Sequence, residues 1–226
     1  MSLRVMLVAA SLAALTACSR DHDPVEEAVV RPNKIVDFNI LYSKNCAGCH
    51  GPDGKGGVAI ALADPIYLAI ADDATIQRIT ANGVTGTSMP AFAQHAGGML
   101  TDDQVNVIAK GIRTHWAKPD AVQGTPPPYE AKTPGDAKRG AAVYEMYCSS
   151  CHGAGGRGGS KGSSIVDPAY LSMVSDQSLR TTVIAGRAEI GAPDWRNNVA
   201  GKAMSPEDVS DVVAWLASQR PQGGRR

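Results

Sequence analysis

Two five-residue stretches decide the fold of this chain: CAGCH at residues 46–50 and CSSCH at residues 148–152. Both follow the pattern C-x-x-C-H, which is the attachment signature of c-type haem. The chemistry uses each position, because two thiols one helical turn apart add across the two vinyl groups of one haem while the adjacent histidine meets the iron. The predicted haem-attaching cysteines are Cys46, Cys49, Cys148 and Cys151, and the predicted proximal iron ligands are His50 and His152.

Other uses of a C-x-x-C pair fit this sequence less well. A structural zinc site needs its ligand pairs much closer together than these two motifs are. A thioredoxin-like motif needs a preceding strand in a βαβ context, and the sequence shows no such pattern. Thiols at this spacing in an exported protein would tend to form a disulfide, and thioether bonds to haem remove them. We therefore predict two covalently bound haem c groups.

The two motifs begin two copies of one repeating unit. Between the copies lies a proline-rich segment at residues 117–135, which we interpret as a semi-rigid linker rather than a packed element. The matching segments are GPDGKGG (51–57) with GAGGRGG (153–159), DPIYL (64–68) with DPAYL (167–171), and TDDQVNVIAKGI (101–112) with SPEDVSDVVAWL (205–216).

Each copy is predicted to form three helices. The first ends at C-x-x-C-H, and the second begins near Asp72 or Ser175. The third is capped by Thr101 or Ser205, each with an acidic residue two positions further on. In the second copy, the apolar residues of this last helix recur at helical spacing. Because strand patterns are scarce, the predicted fold class is all-α, with two small helical domains in tandem.

The composition indicates small domains with an unusual core. The chain has 226 residues with 22 basic and 22 acidic side chains, so its formal net charge is zero. That balance argues against a nucleic-acid-binding protein, which would favour a basic surface or stripe. Aromatic residues make up only 5%, while 24 glycines and 14 prolines indicate many loops. Domains so poor in large side chains need something else to fill the core, and one buried haem in each would do so.

The amino-terminal segment is predicted to be a targeting signal. One arginine precedes an apolar run at residues 5–15, which is too short to span a membrane and typical of a secretory signal. LTAC at residues 15–18 resembles the lipobox of bacterial lipoproteins. This resemblance implies a signal peptide at 1–17, a lipid on Cys18, a polar tether at 18–33, and attachment to the periplasmic side of a bacterial membrane. An ordinary secretory signal and a retained membrane anchor are the alternatives.

On these features, the chain resembles a diheme class I c-type cytochrome. The resemblance covers nearly all of residues 34–221, and its most specific parts are the two C-x-x-C-H motifs and the Met-Pro pair at Met89. It implies one helical haem domain at 34–116 and a second at 136–221, joined by the linker at 117–135. It also implies a carrier of single electrons between redox proteins or membrane respiratory complexes, and not an enzyme by itself.

The two copies differ at the sixth iron ligand. In this family, a methionine from the loop before the last helix usually binds the iron opposite the histidine, and Met89 matches that pattern. In the second copy, Ala192 stands at the aligned position and cannot bind iron. Met204 is then the candidate ligand of the second haem, although it aligns with Leu100, just before the helix cap, where an apolar residue has a packing role. An open site, a water molecule or another group at this position is the other interpretation.

Two alternative functions follow from these features. An open second haem would reduce peroxide or bind a small gas, which would be a peroxidase-like or ligand-binding function. Alternatively, the chain is a dedicated electron-transfer subunit of a dehydrogenase or respiratory complex. Carbon monoxide binding discriminates the first alternative, and co-purification with a larger partner discriminates the second.

The resemblance also predicts two packing details. The family often has a glycine where the first helix crosses an aromatic residue of the last helix, and the second copy supplies Gly140 and Trp215. The first copy has Phe38 and Gly111 at these places, so the large and small partners are expected to be exchanged. The backbone near the Asp-Pro pairs, around Pro65 and Pro168, is expected either to accept the hydrogen of each proximal histidine or to form a plain turn.

Overall fold

The computed structural model describes residues 30–221, and in that range the chain is helical. No β-strand forms among these residues, and none of their helices is long and apolar enough to cross a lipid bilayer. Residues from Ile35 onward form one compact unit that contains both repeats. The predicted all-α class is therefore confirmed, whereas the signal peptide, Cys18 and most of the tether lie outside the described residues.

The helices of the first repeat begin where side chains cap them. A helix leaves its first amides without an internal partner, so an Asp or Thr just before it stabilises the start. The capping residues are Asp37, Asp64, Asp72 and Thr101. The helices are α1 (Phe38–Asn45), α2 (Ala47–His50), α3 (Pro65–Ile70), α4 (Asp73–Asn82) and α5 (Asp102–Trp116).

The second repeat has the same series of helices with equivalent caps. The capping residues are Asp136, Asp167, Ser175 and Ser205. The helices are α6 (Ala137–Tyr147), α7 (Ser149–His152), α8 (Pro168–Met173), α9 (Asp176–Ala185) and α10 (Pro206–Ser218). The predicted helix starts near Asp72 and Ser175, and the predicted caps Thr101 and Ser205, are confirmed.

The prediction of three helices in each repeat is incomplete. The short helices α3 and α8 form at the two Asp-Pro sequences, where the aspartate caps the helix and the proline takes its first turn. Each has only six residues, which is too short for a periodic apolar pattern to show. The first predicted helix is also interrupted at the first cysteine of each motif, which separates α1 from α2 and α6 from α7.

A bare glycine lets the first and last helices of each repeat approach closely. On α6, a Cβ at Gly140 would lie 2.0 Å from the carbonyl oxygen of Asp211 and 2.8 Å from the Cβ of Trp215. On α5, a Cβ at Gly111 would lie 2.0 Å from Cδ2 of Phe38. The large and small partners have therefore exchanged helices between the repeats, as the sequence predicted.

The linker is part of the core rather than a free spacer. One cluster of buried side chains runs through both repeats, and Tyr129 packs against it. Pro127 is also buried. The prediction of an unpacked linker is therefore wrong for this segment. Consecutive prolines fix the backbone direction, but whether a neighbour covers them depends on residues of the second repeat that are distant in sequence.

Candidate haem sites

Each C-x-x-C-H motif lies at a break between two helices. Cys46 ends α1, donating its amide to the carbonyl of Tyr42, and also begins α2. The amides of Cys49 and His50 donate to the Cys46 carbonyl at 3.2 and 3.0 Å, which closes the turn. Cys148 has the same position between α6 and α7. The break gathers two sulfurs and one imidazole at the end of the first helix of each repeat.

The four motif cysteines are unpaired, and the first cysteine of each motif is buried in the first repeat (Cys46) and half-buried in the second (Cys148). Burial, together with the neighbouring cysteine of the same motif, raises the pKa of Cys46 to about 11 and that of Cys148 to about 12. Within residues 30–221, no group of three His, Cys, Asp or Glu side chains converges to hold a metal ion.

A backbone carbonyl orients each proximal histidine. Nδ1 of His50 lies 2.8 Å from the carbonyl oxygen of Ile60, and Nδ1 of His152 lies 2.8 Å from that of Ser163. Because a carbonyl only accepts, each Nδ1 carries the hydrogen and each Nε2 keeps a lone pair for a metal. Burial lowers the pKa of His50, which keeps this imidazole neutral. The backbone thus orients both rings through Nδ1, on the side away from Nε2.

The carbonyls that hold these rings are not at the predicted place. Pro65 and Pro168 have the turn role of the two roles expected for them, since they form the first turns of α3 and α8. The accepting residues come earlier in the loop, ten residues after His50 in the first repeat and eleven after His152 in the second. The path of a glycine-rich loop selects the carbonyl, and side-chain identity does not reveal that path.

Two tyrosines that the sequence analysis did not single out hold the loops after the motifs. The hydroxyl of Tyr42 donates to the carbonyl of Gly51 at 2.7 Å, and that of Tyr144 donates to the carbonyl of Gly153 at 2.5 Å. Each ring also packs against the tryptophan of the last helix, with ring centroids 4.9 and 4.3 Å apart. A sequence signal exists, since a tyrosine stands four residues before the first cysteine of both motifs.

Met89 lies in a tightly closed, half-buried loop between α4 and α5. Gly83 ends α4 with φ +67°, a conformation that favours glycine. A Cβ at Gly83 would lie 2.6 Å from the carbonyl oxygen of Met89. The Met89 amide donates to Oγ1 of Thr87 at 3.1 Å, and its carbonyl accepts from the Val84 amide at 3.1 Å. These contacts fix the backbone from which the thioether extends.

The corresponding loop of the second repeat carries Ala192 in the place of Met89. Gly186 ends α9 with φ +72°, and a Cβ there would lie 2.8 Å from the carbonyl oxygen of Ala192. The two loops therefore close around equivalent backbone positions. The aligned residue is also the structurally equivalent one, and its side chain has no atom that binds iron.

Met204 takes the place that Leu100 has in the first repeat. Its amide donates to the carbonyl of Trp195 at 2.8 Å, just as the Leu100 amide donates to the carbonyl of Phe92 at 2.8 Å. Both side chains are buried, and Nδ2 of Asn198 lies 3.9 Å from the Met204 sulfur. The other methionine beyond the second motif is exposed. Of the two methionines after the second motif, Met204 is thus the buried one, and it has the position of a packing residue.

The donor set of each repeat fits a covalently attached haem. Two unpaired thiols and an imidazole whose Nδ1 is held by a backbone carbonyl belong to each motif. The first repeat adds Met89, and histidine with methionine is an established axial ligand pair of c-type cytochromes. The second repeat offers the same thiols and imidazole, with Met204 as its buried thioether.

Comparison with known proteins gives a match in both repeats. The family described as "Cytochrome C oxidase, cbb3-type, subunit III" matches residues 35–110 and 135–216. Each matched stretch contains one C-x-x-C-H motif. The two stretches together cover well over half of the chain and divide it where the linker lies.

Individual relatives are similar at a lower level. The Cbb3-type cytochrome c oxidase subunit FixP of Azorhizobium caulinodans is 25% identical, over 85% of this chain and 64% of its own length. FixP of Bradyrhizobium diazoefficiens is 26% identical, over 92% and 68%. The cytochrome bc1 complex cytochrome c subunit of Corynebacterium diphtheriae is 21% identical, over 88% and 70%. The chain thus spans roughly two thirds of the length of these relatives.

Proposed function

The chain belongs to the family of cbb3-type cytochrome c oxidase subunit III, and we propose that it is a diheme c-type cytochrome that carries single electrons between redox partners. One observation supports this most. In both motifs, Nδ1 of the histidine is held by a carbonyl 2.8 Å away, which leaves Nε2 of each imidazole for iron. Two prepared ligands beside two pairs of unpaired thiols fit two haem c groups.

The proposed roles in the first domain, residues 34–116, use all four donors. Cys46 and Cys49 hold the haem through thioether bonds, and His50 and Met89 bind its iron. Haem c supplies a one-electron couple when bound, and a methionine ligand raises its reduction potential. The hydrogen bonds to the Met89 backbone hold its loop in one conformation, which limits rearrangement when the electron arrives or leaves.

The proposed roles in the second domain, residues 136–221, are the same for three donors. Cys148 and Cys151 attach the haem and His152 is the proximal ligand. Met204 is the candidate sixth ligand, since it is the buried methionine beyond the motif. The side chain of Met204 would have to reach the iron from the position that the packing residue Leu100 has in the first domain.

A second candidate function is ligand binding at the second haem. The observation that favours it is that Ala192 takes the place of Met89, while Met204 has the hydrogen bond and burial of Leu100. An open sixth position would bind a small gas or react with peroxide, which is a peroxidase-like activity. An electron carrier with two closed haems would do neither.

We further propose a location and a class of partner. Cleavage of the signal peptide after residue 17, a lipid on Cys18 and a tether at 18–33 would attach the domains to the periplasmic side of a bacterial membrane. The relatives are named as subunits of a cbb3-type oxidase and of the bc1 complex, which supports a partner in a respiratory chain. A dehydrogenase complex is the alternative partner, and co-purification from membranes tests both.

Haem stoichiometry of the purified holoprotein tests the central proposal. We expect two covalently bound haems per chain, measured by mass and by the absorbance of the denatured haem. The double variant Cys46→Ser/Cys49→Ser should retain one haem, and Cys148→Ser/Cys151→Ser should retain the other. A parent chain with fewer than two haems contradicts the proposal.

Carbon monoxide distinguishes the two candidates for the second haem. The near-infrared band of methionine-bound ferric haem is measured first, and carbon monoxide is then added to the reduced protein. Two such bands without a carbon monoxide shift support Met204 as ligand and a plain electron carrier. One band and one haem that shifts support the open site.

A further inference from the structure

Arg180 on α9 is buried and holds the linker. Its residue exposure is 3%, and among residues 30–221 no carboxylate pairs with it. Nε and Nη2 donate to the carbonyl of Pro128 at 3.1 and 2.9 Å, and Nε also donates to that of Tyr129 at 3.0 Å. Nη1 donates to the hydroxyl of Ser210 at 3.1 Å. A buried charge without a counterion is unfavourable unless hydrogen bonds satisfy it, and here the linker carbonyls do so.

Neighbouring residues on α9 hold the same segment, residues 127–130, which we call the linker strap. Nε2 of Gln177 donates to the carbonyl of Tyr129 at 2.8 Å. Thr181 is close enough to the Tyr129 hydroxyl to lower the pKa of this group against the larger, opposing effect of burial. Residues 177, 180 and 181 share one face of a helix, so the linker strap packs on this face of α9.

The other side of the linker strap meets the first repeat. Burial, with a smaller contribution from the nearby Tyr129, raises the pKa of Tyr67 on α3. Arg78 on α4 forms an ion pair with Glu130 at 3.5 Å. Helices α3 and α9 are also in contact with each other. The strap therefore lies between the two repeats and is bonded to both.

The first repeat shows what this position is like without a strap. Gln77 on α4 is the equivalent of Arg180, and Asn106 on α5 is the equivalent of Ser210. Nε2 of Gln77 donates to Oδ1 of Asn106 at 2.6 Å on the exposed surface. The helical framework thus forms with a neutral, solvated residue here. A buried arginine in the second repeat is explained by the linker that it holds and not by the fold of the repeat.

A second contact joins the loops next to the two haem sites. Nη2 of Arg187, in the loop that carries Ala192, donates at 2.9 Å to the carbonyl of Gly57, in the loop after the first motif. A Cβ at the adjacent Gly56 would lie 2.8 Å from a carboxylate oxygen of Glu189. This contact is distant in sequence from the linker strap, so the repeats are fixed to each other at two separate places.

We propose that Arg180 and the linker strap lock the two domains into one rigid body, and that Arg180 is thereby a positioning residue for electron transfer between the two haems. The transfer moves one electron from ferrous iron in one domain to ferric iron in the other and neither makes nor breaks a bond. The electron-transfer part rests on the proposed function, whereas the rigidity does not. A flexible linker would instead let the distance between the domains vary.

Arg180→Gln tests the lock in the full-length holoprotein, because it places the residue of the first repeat at the equivalent position. The measurement is the rate of chymotrypsin cleavage after Tyr129, which tracks local opening of the strap. Several hydrogen bonds from a charged donor are lost, so we expect cleavage to accelerate roughly tenfold or more. Gln77→Ala, at the exposed equivalent site, is the matched control and should cleave at the parent rate. Arg180→Lys keeps the charge but lacks the planar guanidinium, so its cleavage rate should lie between those of the parent and Arg180→Gln.

Two further readouts separate positioning from a general loss of stability. Small-angle scattering should show a broader distribution of interatomic distances for Arg180→Gln, with both haem spectra unchanged. After flash reduction, electron equilibration between the haems should become slower in this variant while both reduction potentials keep their parent values. If Arg180→Gln does not fold, Gln177→Ala serves as a milder variant that removes one hydrogen bond to the strap.

Each outcome has one meaning. Equal cleavage rates and scattering for the parent, Arg180→Gln and Gln177→Ala overturn the lock. Faster cleavage with an unchanged equilibration rate overturns the positioning role and leaves the lock. Absence of the second haem from the parent protein overturns the proposed function, and the cleavage experiment still reports on the strap.

Discussion

Replacing Gly111 with alanine tests whether the crossing of α1 and α5 depends on a bare glycine. The new Cβ would lie 2.0 Å from Cδ2 and 2.5 Å from Cγ of Phe38, whereas carbon atoms in contact normally stay about 3.5–4.0 Å apart. The ring or the helix therefore has to move. The Phe38 ring is not free to retreat, because it stacks on His115 with centroids 4.4 Å apart and packs edge-on against Trp116 at 5.5 Å.

Two opposing effects set the size of the change. Overpacking of this kind decreases the free energy of unfolding by about 1–3 kcal/mol. Alanine is favoured over glycine in a helix by about 1 kcal/mol. Because three ring atoms of Phe38 would lie within 2.6 Å of the new methyl group, we place the overpacking near its upper limit. The net expectation is a loss of about 1–2 kcal/mol.

Chemical denaturation of the holoprotein, followed by helical circular dichroism and haem absorbance, measures this loss. Gly48→Ala is the matched control, since Gly48 is also helical and nothing lies within 4 Å of its added Cβ. Phe38→Ala should relieve the clash, so Gly111→Ala should reduce the free energy of unfolding much less in the Phe38→Ala background than in the parent. The interaction energy between the two substitutions should be about 1 kcal/mol or more. The reasoning is refuted if Gly111→Ala is as stable as the parent, or if its effect is the same with and without Phe38.

Three further predictions address the site and the stability of the repeats. Met204→Leu copies Leu100 and should reduce the free energy of unfolding by less than about 1.5 kcal/mol. If Met204 binds iron, the variant loses one methionine–haem band and gains carbon monoxide binding. Ala192→Met should close the site whether or not Met204 binds iron. Hydrogen bonds from Arg139 lower the pKa of Asp211, so its carboxylate stabilises the fold above the ordinary carboxyl pKa of about 4 and loses that effect as the pH falls through the lower folded-state pKa. Asp211→Asn should therefore weaken the fall in urea midpoint between about pH 5 and pH 2, and an unchanged acid profile contradicts the assignment. Tyr42→Phe removes the hydrogen bond to the Gly51 carbonyl and should reduce the free energy of unfolding by about 1 kcal/mol, measured by urea denaturation, and a variant as stable as the parent would show that this bond contributes nothing.

The sequence predicts what is local or duplicated. Helix caps such as Asp72 and Ser205 act on amides three residues away, so their effect is visible in a short window. The exchange between Phe38 and Gly111 is visible because the second repeat provides an aligned reference. The motif residues are predictable for a different reason, since the attachment chemistry itself fixes their spacing.

The remaining features depend on where a loop passes. The carbonyl that holds His50 belongs to Ile60, and any residue type at that position would offer the same oxygen. The contact between Arg180 and the linker joins residues far apart in sequence, since Pro128 precedes Arg180 by 52 positions. An arginine in a helical pattern usually lies on the solvated surface, so residue type alone predicts an exposed side chain at position 180, where the structure has a buried one.

The loop between Gly186 and Pro193 links the two ways in which the repeats differ. In the first repeat, the equivalent loop is closed around Met89 by its own hydrogen bonds. In the second repeat, backbone hydrogen bonds between Arg187 and Ala192 also close the loop, and the Arg187 side chain in addition donates to the carbonyl of Gly57, beside the first motif. The segment that would carry the sixth ligand has therefore become a contact between the domains. Because the side chains of Arg187 and Glu189 make this contact and that of Ala192 does not, Ala192→Met should supply a ligand to the second haem without loosening the contact between the domains.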